Sequence, residues 1–363
     1  MSGIDEGVKT MVIDLGSGYT KMGLADIEPT NKVIPSLVAT DKDGNKMYGY
    51  EAVSNRKLAS LSLLGDREFI DKWDDAHEFL FDAYRRKFKT DPNSHAVYVG
   101  VHNTTKKGYK EKLLQVFLEE LRCPGFHMSP TSLLSLYGSG KLVGAILDVG
   151  HGTTTISASY EGLLNEHQEY SVKLGGRDVE DAIKKALNNN IEDPEFIRNI
   201  KHNKCKVSSE TYLKKNPETN PPVQEINYTL PDGSTVCINS EVVNATEVLF
   251  KPSLLGKRCL GIHELAYDCI NQSDYDARRE LYGNVVLSGG SFHTPGLPEA
   301  VVNQLNSMIP NLFRVRLEDI DYHQSLPWMG GSIVSSMSTF QSNWITKAQL
   351  DEHGPSIVLR KCL

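Results

Sequence analysis

Two short runs of the chain place a carboxylate and two glycines at one spacing. Asp14-Leu15-Gly16-Ser17-Gly18 and Asp148-Val149-Gly150-His151-Gly152 both read D-x-G-x-G. A polyphosphate needs backbone N–H groups that converge on its oxygens, and glycine permits that close approach and the positive φ angles it requires. Two such turns facing each other suit a triphosphate gripped from both sides, with Lys21 meeting its charge. Mg²⁺ keeps several waters and takes few protein carboxylates. Asp14 and Asp148, one per turn at equivalent positions, suit a hydrated metal held beside the phosphates. A plain hairpin turn explains a single copy as well, because short glycine motifs recur widely. The second copy weighs against that reading, and a third element adds to it. Residues 284–297, NVVLSGGSFHTPGL, read as a buried strand running into Gly289-Gly290. A glycine pair there lets backbone lie against a flat adenosine group, or equally lets a strand cross a helix closely.

Each turn needs a strand on either side. Val12 and Ile13 lead into the first; Met22, Leu24 and Ala25 lead out. Residues 142–158, LVGAILDVGHGTTTISA, repeat the pattern, so an internal duplication of two halves is expected. Between the copies the spacing predicts a helix over Trp73–Phe88, a strand over Ala96–Val101 and a helix over Tyr109–Leu121. A helix from Gly176 to Leu187 follows. Lys214–Val223 is polar and proline-rich and reads as a surface loop; LPDGST reads as a hairpin with Asp232-Gly233 at its turn. DKDGNK, Asp41–Lys46, is a small polar turn between Val38 and Tyr48. A last helix is predicted over Gly330–Phe340. Strands alternate with helices in both halves, which predicts α/β layers.

Bulk properties narrow the function classes. At 363 residues the chain exceeds what one core usually serves, so two domains are expected. Apolar residues make up 39% and charged residues 23%, an ordinary globular balance. A net charge of -7 gives no general attraction to nucleic acid or to an anionic membrane surface. The basic run Arg85, Arg86, Lys87, Lys89 is too short to change that. The six cysteines form no CxxC pair, which predicts free thiols rather than a zinc site or a disulfide framework. No apolar run approaches a membrane span, and the polar, acidic start MSGIDEGVKT predicts no secretory signal.

The two D-x-G-x-G turns and the glycine pair, in this order, resemble the phosphate and adenosine motifs of the actin, sugar-kinase and heat-shock-chaperone ATPase superfamily. Within it, KPSLLGKRCLGI (251–262), YTLPDGSTVCI, SLLSLYGSGK, WMGGSIVSSMSTFQSNW and the end GPSIVLRKCL are similar to actin. The resemblance implies a duplicated two-domain actin-like ATPase fold with a nucleotide cleft between the domains. It places a first domain at 1–141, with an inserted subdomain near 37–70 and completion by 326–363. A second domain at 142–325 carries an insertion near 178–260. It implies ATP or ADP with Mg²⁺ or Ca²⁺. Asp14 and Asp148 match the carboxylates that organise the metal's water shell. Ser17, Gly18 and Lys21 match the first phosphate hairpin, and Gly150, Gly152 and Thr154 the second. Gly176 and Asp178 match sugar-side contacts, Lys201 an adenine-side contact, and Gly289 and Gly290 the adenosine loop.

The departures from actin concern turnover and assembly. Where actin has a water-positioning glutamine this chain has Thr131, where it has an aspartate inside the second hairpin there is His151, and its next histidine is Thr155. His202 replaces an adenine-side glutamate, Thr294 the aromatic after the adenosine loop, and Gln324 a nearby lysine before the WxGG segment. The resemblance therefore implies nucleotide binding with slow or absent hydrolysis. His151 is either a substitute base or, as the favoured reading, a hydrogen-bonded structural histidine. The turn at 41–46 is shorter than the loop by which actin reaches the next subunit. Asn343 replaces an apolar residue of the cleft where actin receives that loop and its partners; Tyr137, Val334 and Met337 match the rest, and core packing explains those three equally well. Three functions follow: a cytoskeletal filament subunit, a non-polymerising scaffold subunit of a larger assembly, and, as the weakest, a small-molecule kinase. Partners implied are other actin-family subunits or actin-binding proteins, in the cytoplasm or the nucleus.

Overall fold

The computed structural model describes residues 7–25, 31–67, 70–102, 104–160, 162–188, 193–207, 226–229, 235–316 and 322–362. The chain divides into two compact units. One consists of Met1–Leu142, Glu161–Glu166 and Ser325–Leu363, the other of Val143–Tyr160 and His167–Gln324. Among the described residues no helix is long and apolar enough to cross a membrane. None of the six cysteines is in a disulfide.

The first unit is built on a five-stranded sheet. Thr10–Leu15 and Tyr19–Leu24 form an antiparallel hairpin, with Lys32–Pro35 outside it. On its other side Thr10–Leu15 pairs in parallel with Ala96–Val101, which pairs in parallel with Phe126–Pro130. Parallel neighbours require crossovers, and these are the helices Trp73–Asp82 and Lys107–Gln115. Each is extended by a wider π-type turn, Ala83–Phe88 and Val116–Glu120. All six residues of Ala96–Val101 are buried, as a strand covered on both faces must be. The period-two alternation sends Met11 and Ile13 against Phe79, Leu80, Leu114 and Phe117. It sends Val12 and Tyr98 to the opposite face, against Leu134, Trp328 and Trp344. That second face is covered by two helices, Thr131–Gly138 and Leu326–Ser335. Their backbones meet: a Cβ on Gly330 would lie 1.9 Å from the Leu134 carbonyl oxygen.

Two short helices, Lys347–His353 and Val358–Lys361, follow the helix predicted last, which itself departs from the sequence expectation. It begins four residues early, with Pro327 in its first turn, where a missing N–H costs nothing. It also stops at Ser335. Ser335 and Ser336 both turn their hydroxyls back onto the Ser332 carbonyl, and Met337 is extended (φ -70, ψ 134) before a 3₁₀ stretch at Ser338–Asn343. Serine hydroxyls that compete for helix carbonyls weaken the last turn.

The expected polar turn joins Lys46–Tyr48 to Leu37–Thr40, with Val38 opposite Tyr48, and Ser60–Leu63 completes a small three-stranded sheet. The turn is compact because the Asp41 carboxylate accepts from the N–H groups of Asp43 and Asn45 and from the Asn45 amide.

The second unit repeats the hairpin-plus-parallel-strand arrangement. Gly144–Val149 and Thr154–Tyr160 are antiparallel, Val285–Ser288 runs parallel beside the first, and Leu163–Val172 lies beside the second. Asp14 is paired with Lys21 and Gly100 in one unit, Asp148 with Thr155 and Ser288 in the other. The core of this unit gathers Leu147, Ile156, Ile183, Ile197, Ala266 and Val301 from the sheet and four helices: Gly176–Ala186, Pro194–Lys204, Ile262–Asn271 and Leu297–Met308. Ile226–Thr229 pairs with Thr235–Ile238 as a hairpin. The turn at Asp232-Gly233 and the loop Lys214–Val223 lie outside the described residues.

One histidine of the first unit reports on its aromatic face. His127 packs edge-on to Phe340 at 4.8 Å between ring centroids, and Nδ1 donates to the Asn343 carbonyl at 3.2 Å. Burial pushes its pKa down to about 4. An unfolded histidine titrates near ~6.5, so between these values the unfolded chain binds a proton that the folded state refuses. Stability is therefore full above the unfolded value and falls as pH drops towards the folded one. Urea denaturation should show His127 costing ~2 kcal/mol between pH 7.5 and pH 5. A His127→Phe variant should lose that part of the slope, and equal slopes in the two proteins would refute the assignment.

Candidate functional site

In the first unit the hairpin brings Asp14 and Lys21 together. They are Cα partners in the ladder, and Lys21 Nζ donates to Asp14 Oδ2 at 2.9 Å. The expected metal-side carboxylate and phosphate-side ammonium are thus one ion pair. The turn between them is held from behind by Ser36, which had no sequence signal. Its hydroxyl donates to the Gly16 carbonyl at 2.7 Å, its N–H donates to the Gly18 carbonyl at 3.0 Å, and its Oγ lies 3.0 Å from Thr20 Oγ1. Gly16, Ser17, Thr20 and Ser36 line a small concavity together with Leu64 and Asp66. Thr131 opens the helix Thr131–Gly138 and is buried. Its methyl lies 3.1 Å from where a Cβ on Gly100 would stand, and Gly100 is the parallel partner of Asp14. Thr131 therefore sits over the strand next to the carboxylate.

In the second unit four separate segments converge. The turn Gly150–Thr153 is closed by Gly150 N–H to the Thr153 carbonyl at 2.9 Å. The carbonyls of Gly150 and His151 are taken from outside. Gly176 N–H donates to Gly150 at 2.9 Å, Arg177 N–H donates to His151 at 2.7 Å, and the Ser291 hydroxyl donates to Gly150 at 3.2 Å. Asp148 Oδ2 accepts from the Ser288 hydroxyl at 3.1 Å. Lys201 Nζ reaches the Gly176 carbonyl at 3.5 Å. A Cβ built on Gly176 would meet Lys201 Nζ at 3.3 Å, His151 Cα at 3.5 Å and Ser291 Oγ at 3.5 Å. Gly150, His151, Gly176, Lys201 and the loop after Gly289-Gly290 were separate expectations, and one point in the structure touches four of these segments. Gln324 stands beside the last of them, with Oε1 4.0 Å from a Cβ on Gly290.

Two expected contacts are committed inside the unit. Thr154 is fully buried and gives its hydroxyl to the Leu174 carbonyl at 2.8 Å. Asp178 is fully buried, accepts from the Gly175 N–H at 2.8 Å and pairs with Lys257 at 2.5 Å. It caps the helix Gly176–Ala186 at N3, where an acidic side chain is favoured. Thr155 is buried opposite Asp148.

His151 Nε2 lies 3.3 Å from Glu180 Oε2, and Lys201 Nζ donates to Glu180 Oε1 at 2.5 Å. Burial lowers the His151 pKa against the opposing pull of Glu180. For Glu180, burial raises the pKa, but the His151 hydrogen bond and the Lys201 charge outweigh it and hold the carboxyl well below the usual range. His151 is therefore neutral and Glu180 ionised. His202 is pushed down to about 4, by burial and then by Lys201. Sequence reasoning missed Glu180 and the serines 288 and 291. The serines flank the glycine pair and were legible as SGGS; Glu180 lies one helical turn beyond Gly176, a spacing that means something only once Gly176 is placed.

The positions matched to a partner cleft all belong to the first unit. Tyr137 donates to the Gly162 carbonyl at 3.3 Å, Val334 packs against the cluster of Trp328, Phe340 and Trp344, and Met337 and Asn343 are exposed.

This is a mixed α/β protein of two sheet-containing halves, each with a glycine hairpin at the edge of a parallel pair. The family model for actin matches residues 5–196 and 189–363, between them nearly the whole chain. The chain belongs to the actin family, whose members generally bind adenine nucleotide with a divalent cation.

The glycine pair divides into two different roles. Gly289 has φ +101, and a Cβ there would lie 2.4 Å from the Val149 carbonyl oxygen; Gly290 meets nothing nearer than Gln324. Gly289→Ala should cost ~2–4 kcal/mol in chemical denaturation through strain and overlap, whereas Gly290→Ala should cost under ~1 kcal/mol. Equal losses would contradict this division.

Proposed function

We propose that this chain is an ATP- and ADP-binding subunit of a cytoskeletal filament or complex, with Mg²⁺ or Ca²⁺ as the companion ion and slow or absent intrinsic hydrolysis. The observation that carries the reading is the convergence of the second hairpin, Gly176, Lys201 and the Gly289-Gly290 loop at one point. Ser17, Gly18 and Lys21 take the phosphates from the first hairpin, and the backbones of Gly150 and Gly152 from the second. Asp14 and Asp148 hold the metal through its waters. Gly176 and Lys201 serve the nucleoside with Gly289 and Gly290, while Thr154 and Asp178 keep those segments in place. ATP titrated calorimetrically with Mg²⁺ should bind at least ~10-fold more weakly to Asp14→Ala and to Lys21→Ala, since each loses a charged contact. Undiminished affinity in both variants removes the site. Saturating nucleotide should also raise the melting temperature, because a ligand at about a hundredfold excess over Kd adds about 2.7 kcal/mol to the native state.

Slow hydrolysis follows from the groups that stand where water must be aligned. A positioned acid or base contributes ~10²–10⁴ in rate. Thr131 is too short to span what a glutamine spans, Thr155 is buried opposite Asp148, and the His151 ring is engaged through Nε2 with Glu180. Single-turnover hydrolysis by the wild type should be slower than by a Thr131→Gln, His151→Asp double variant. Fast wild-type turnover with no gain in the variant would show that these positions do not limit the rate.

A non-polymerising scaffold is the second reading. It is favoured by the turn at 41–46, which is folded onto the Asp41 carboxylate and extends no long loop. Partners, other actin-family subunits or actin-binding proteins, then dock on the face carrying Tyr137, Val334 and Met337, in the cytoplasm or the nucleus. Sedimentation with and without ATP and Mg²⁺ separates the two: a pelleting species that depends on nucleotide supports the filament, and its absence supports the scaffold.

A further inference from the structure

We infer that Glu180 is a positioning residue of the nucleotide site: one carboxylate oxygen ties down the Lys201 ammonium, and the other takes the Nε2–H of His151, leaving Nδ1 of that ring as an acceptor for the sugar hydroxyls. This rests on the nucleotide reading above and deepens it.

Glu180 is buried, with His202 of the helix Pro194–Lys204 within its field, and the groups nearest it are His151 from the hairpin and Lys201 and Arg198 from that helix. Their distances to the carboxylate are 3.3, 2.5 and 3.8 Å. Arg198 is also drawn to Glu195 at 3.5 Å. A buried carboxylate between two fixed cations stays ionised, because neutralising it would leave the cations unmatched. An ionised carboxylate only accepts hydrogen bonds, so the hydrogen shared with His151 belongs to the ring. Burial disfavours a charge on that ring and, with Lys201 and Arg198 repelling one, outweighs the pull of Glu180, so the imidazole remains neutral with its one hydrogen on Nε2. Nδ1 then carries a lone pair.

Position gives the lone pair its use. His151 Cα and Lys201 Nζ both lie within 3.5 Å of the point a methyl on Gly176 would occupy, on the side matched to the sugar. A sugar offers hydroxyl donors there; a bare Nδ1 is the partner they require. Glu180 thus acts through two other residues, and its substitution has a specific consequence. In Glu180→Gln the Lys201 ammonium claims the amide oxygen, so the amide NH₂ faces His151 Nε2. That nitrogen must then accept, and the ring hydrogen moves to Nδ1. A residue that merely filled space would not move it.

The test reads tautomer and sugar selectivity separately. Full-length protein with ¹⁵N-labelled histidine is examined by NMR at pH 7. The His151 resonances, assigned by their loss in His151→Phe, should show Nε2–H in the wild type and Nδ1–H in Glu180→Gln. Calorimetry with Mg²⁺ should show 2′,3′-dideoxy-ATP binding at least ~10-fold more weakly than ATP to the wild type, since an unpaired buried acceptor is left behind. The ratio should fall within ~3-fold in His151→Phe, which removes the acceptor and leaves the buried charges paired. An Nδ1–H or doubly protonated ring in the wild type, an unmoved tautomer in Glu180→Gln, or an unchanged ratio in His151→Phe overturns the inference with nucleotide binding intact. If the wild type binds neither nucleotide, the reading beneath it fails, and the inference falls with it even where the tautomer is as stated.

Discussion

The second unit depends on how two backbone carbonyls are satisfied. A tight turn such as Gly150–Thr153 closes one hydrogen bond on itself and leaves other polar groups to find partners, and a buried carbonyl without one costs about as much as a lost hydrogen bond. The carbonyls of Gly150 and His151 are met by the N–H groups of Gly176 and Arg177, which at a helix N-terminus have no partner within the helix. Each set of orphaned groups completes the other. Two segments whose bonded residues are 26 apart in sequence are thereby fixed in one register, and the chemistry follows from that register. Lys201 comes over Gly176 because Glu180, one turn along the same helix, draws it there. Ser291 joins by donating to the same Gly150 carbonyl, which fixes the loop after Gly289.

The first hairpin reaches the same local shape by other means. Among the described residues no helix N-terminus donates to its turn; Ser36 does, with both hydroxyl and N–H. Its carboxylate is met by Lys21 across the ladder, where Asp148 is met by the Ser288 hydroxyl from the neighbouring parallel strand. Register explains the difference. The residue opposite Asp14 is a lysine and the one opposite Asp148 is a threonine, while the parallel neighbours are Gly100 and Ser288. These partners of the two aspartates come from opposite sides of the strand. A single motif in the sequence therefore stands for two electrostatic environments, one with a cation in place and one with a neutral donor.

What was legible in the sequence was whatever depends on nearest neighbours along the chain. Both glycine hairpins, the buried strand Ala96–Val101 and the helices beginning at Trp73 and Gly176 follow from alternation, helical spacing and glycine, and stand where expected. The helix expected over Gly330–Phe340 was misplaced because Gly330 was read as its start, when it is the point where that helix touches its neighbour. Tertiary packing, which no local pattern encodes, put the glycine in the middle. The same limit separates the two halves of the candidate site. Asp14, Lys21, Gly150 and Gly289 announce themselves by motif. Ser36 and Glu180 do not, since a serine after a proline and a glutamate on a helix are ordinary residues until the groups they face are known. Thr154 and Asp178 were marked by the resemblance, and in the structure both engage their side chains with the scaffold.

These roles differ in what can be lost. Grip on an anion that comes from backbone N–H groups persists under any substitution that leaves the turn geometry alone, and that geometry is secured here by carbonyls already paired and by glycines that tolerate no Cβ. Aligning a water depends on the length and protonation of one or two side chains, and nothing in the fold preserves those. Thr131 packs well as a helix-opening residue whatever it does to a water, and His151 is stabilised by Glu180 whether or not it takes a proton. Stability and the backbone grip on phosphate therefore place no constraint on Thr131, His151 and Thr155, three of the positions where this chain departs from the actin pattern. A family member that kept its hairpins and changed Thr131, His151 and Thr155 would give up turnover first and nucleotide last, leaving the nucleotide to act as a structural clamp instead of a fuel.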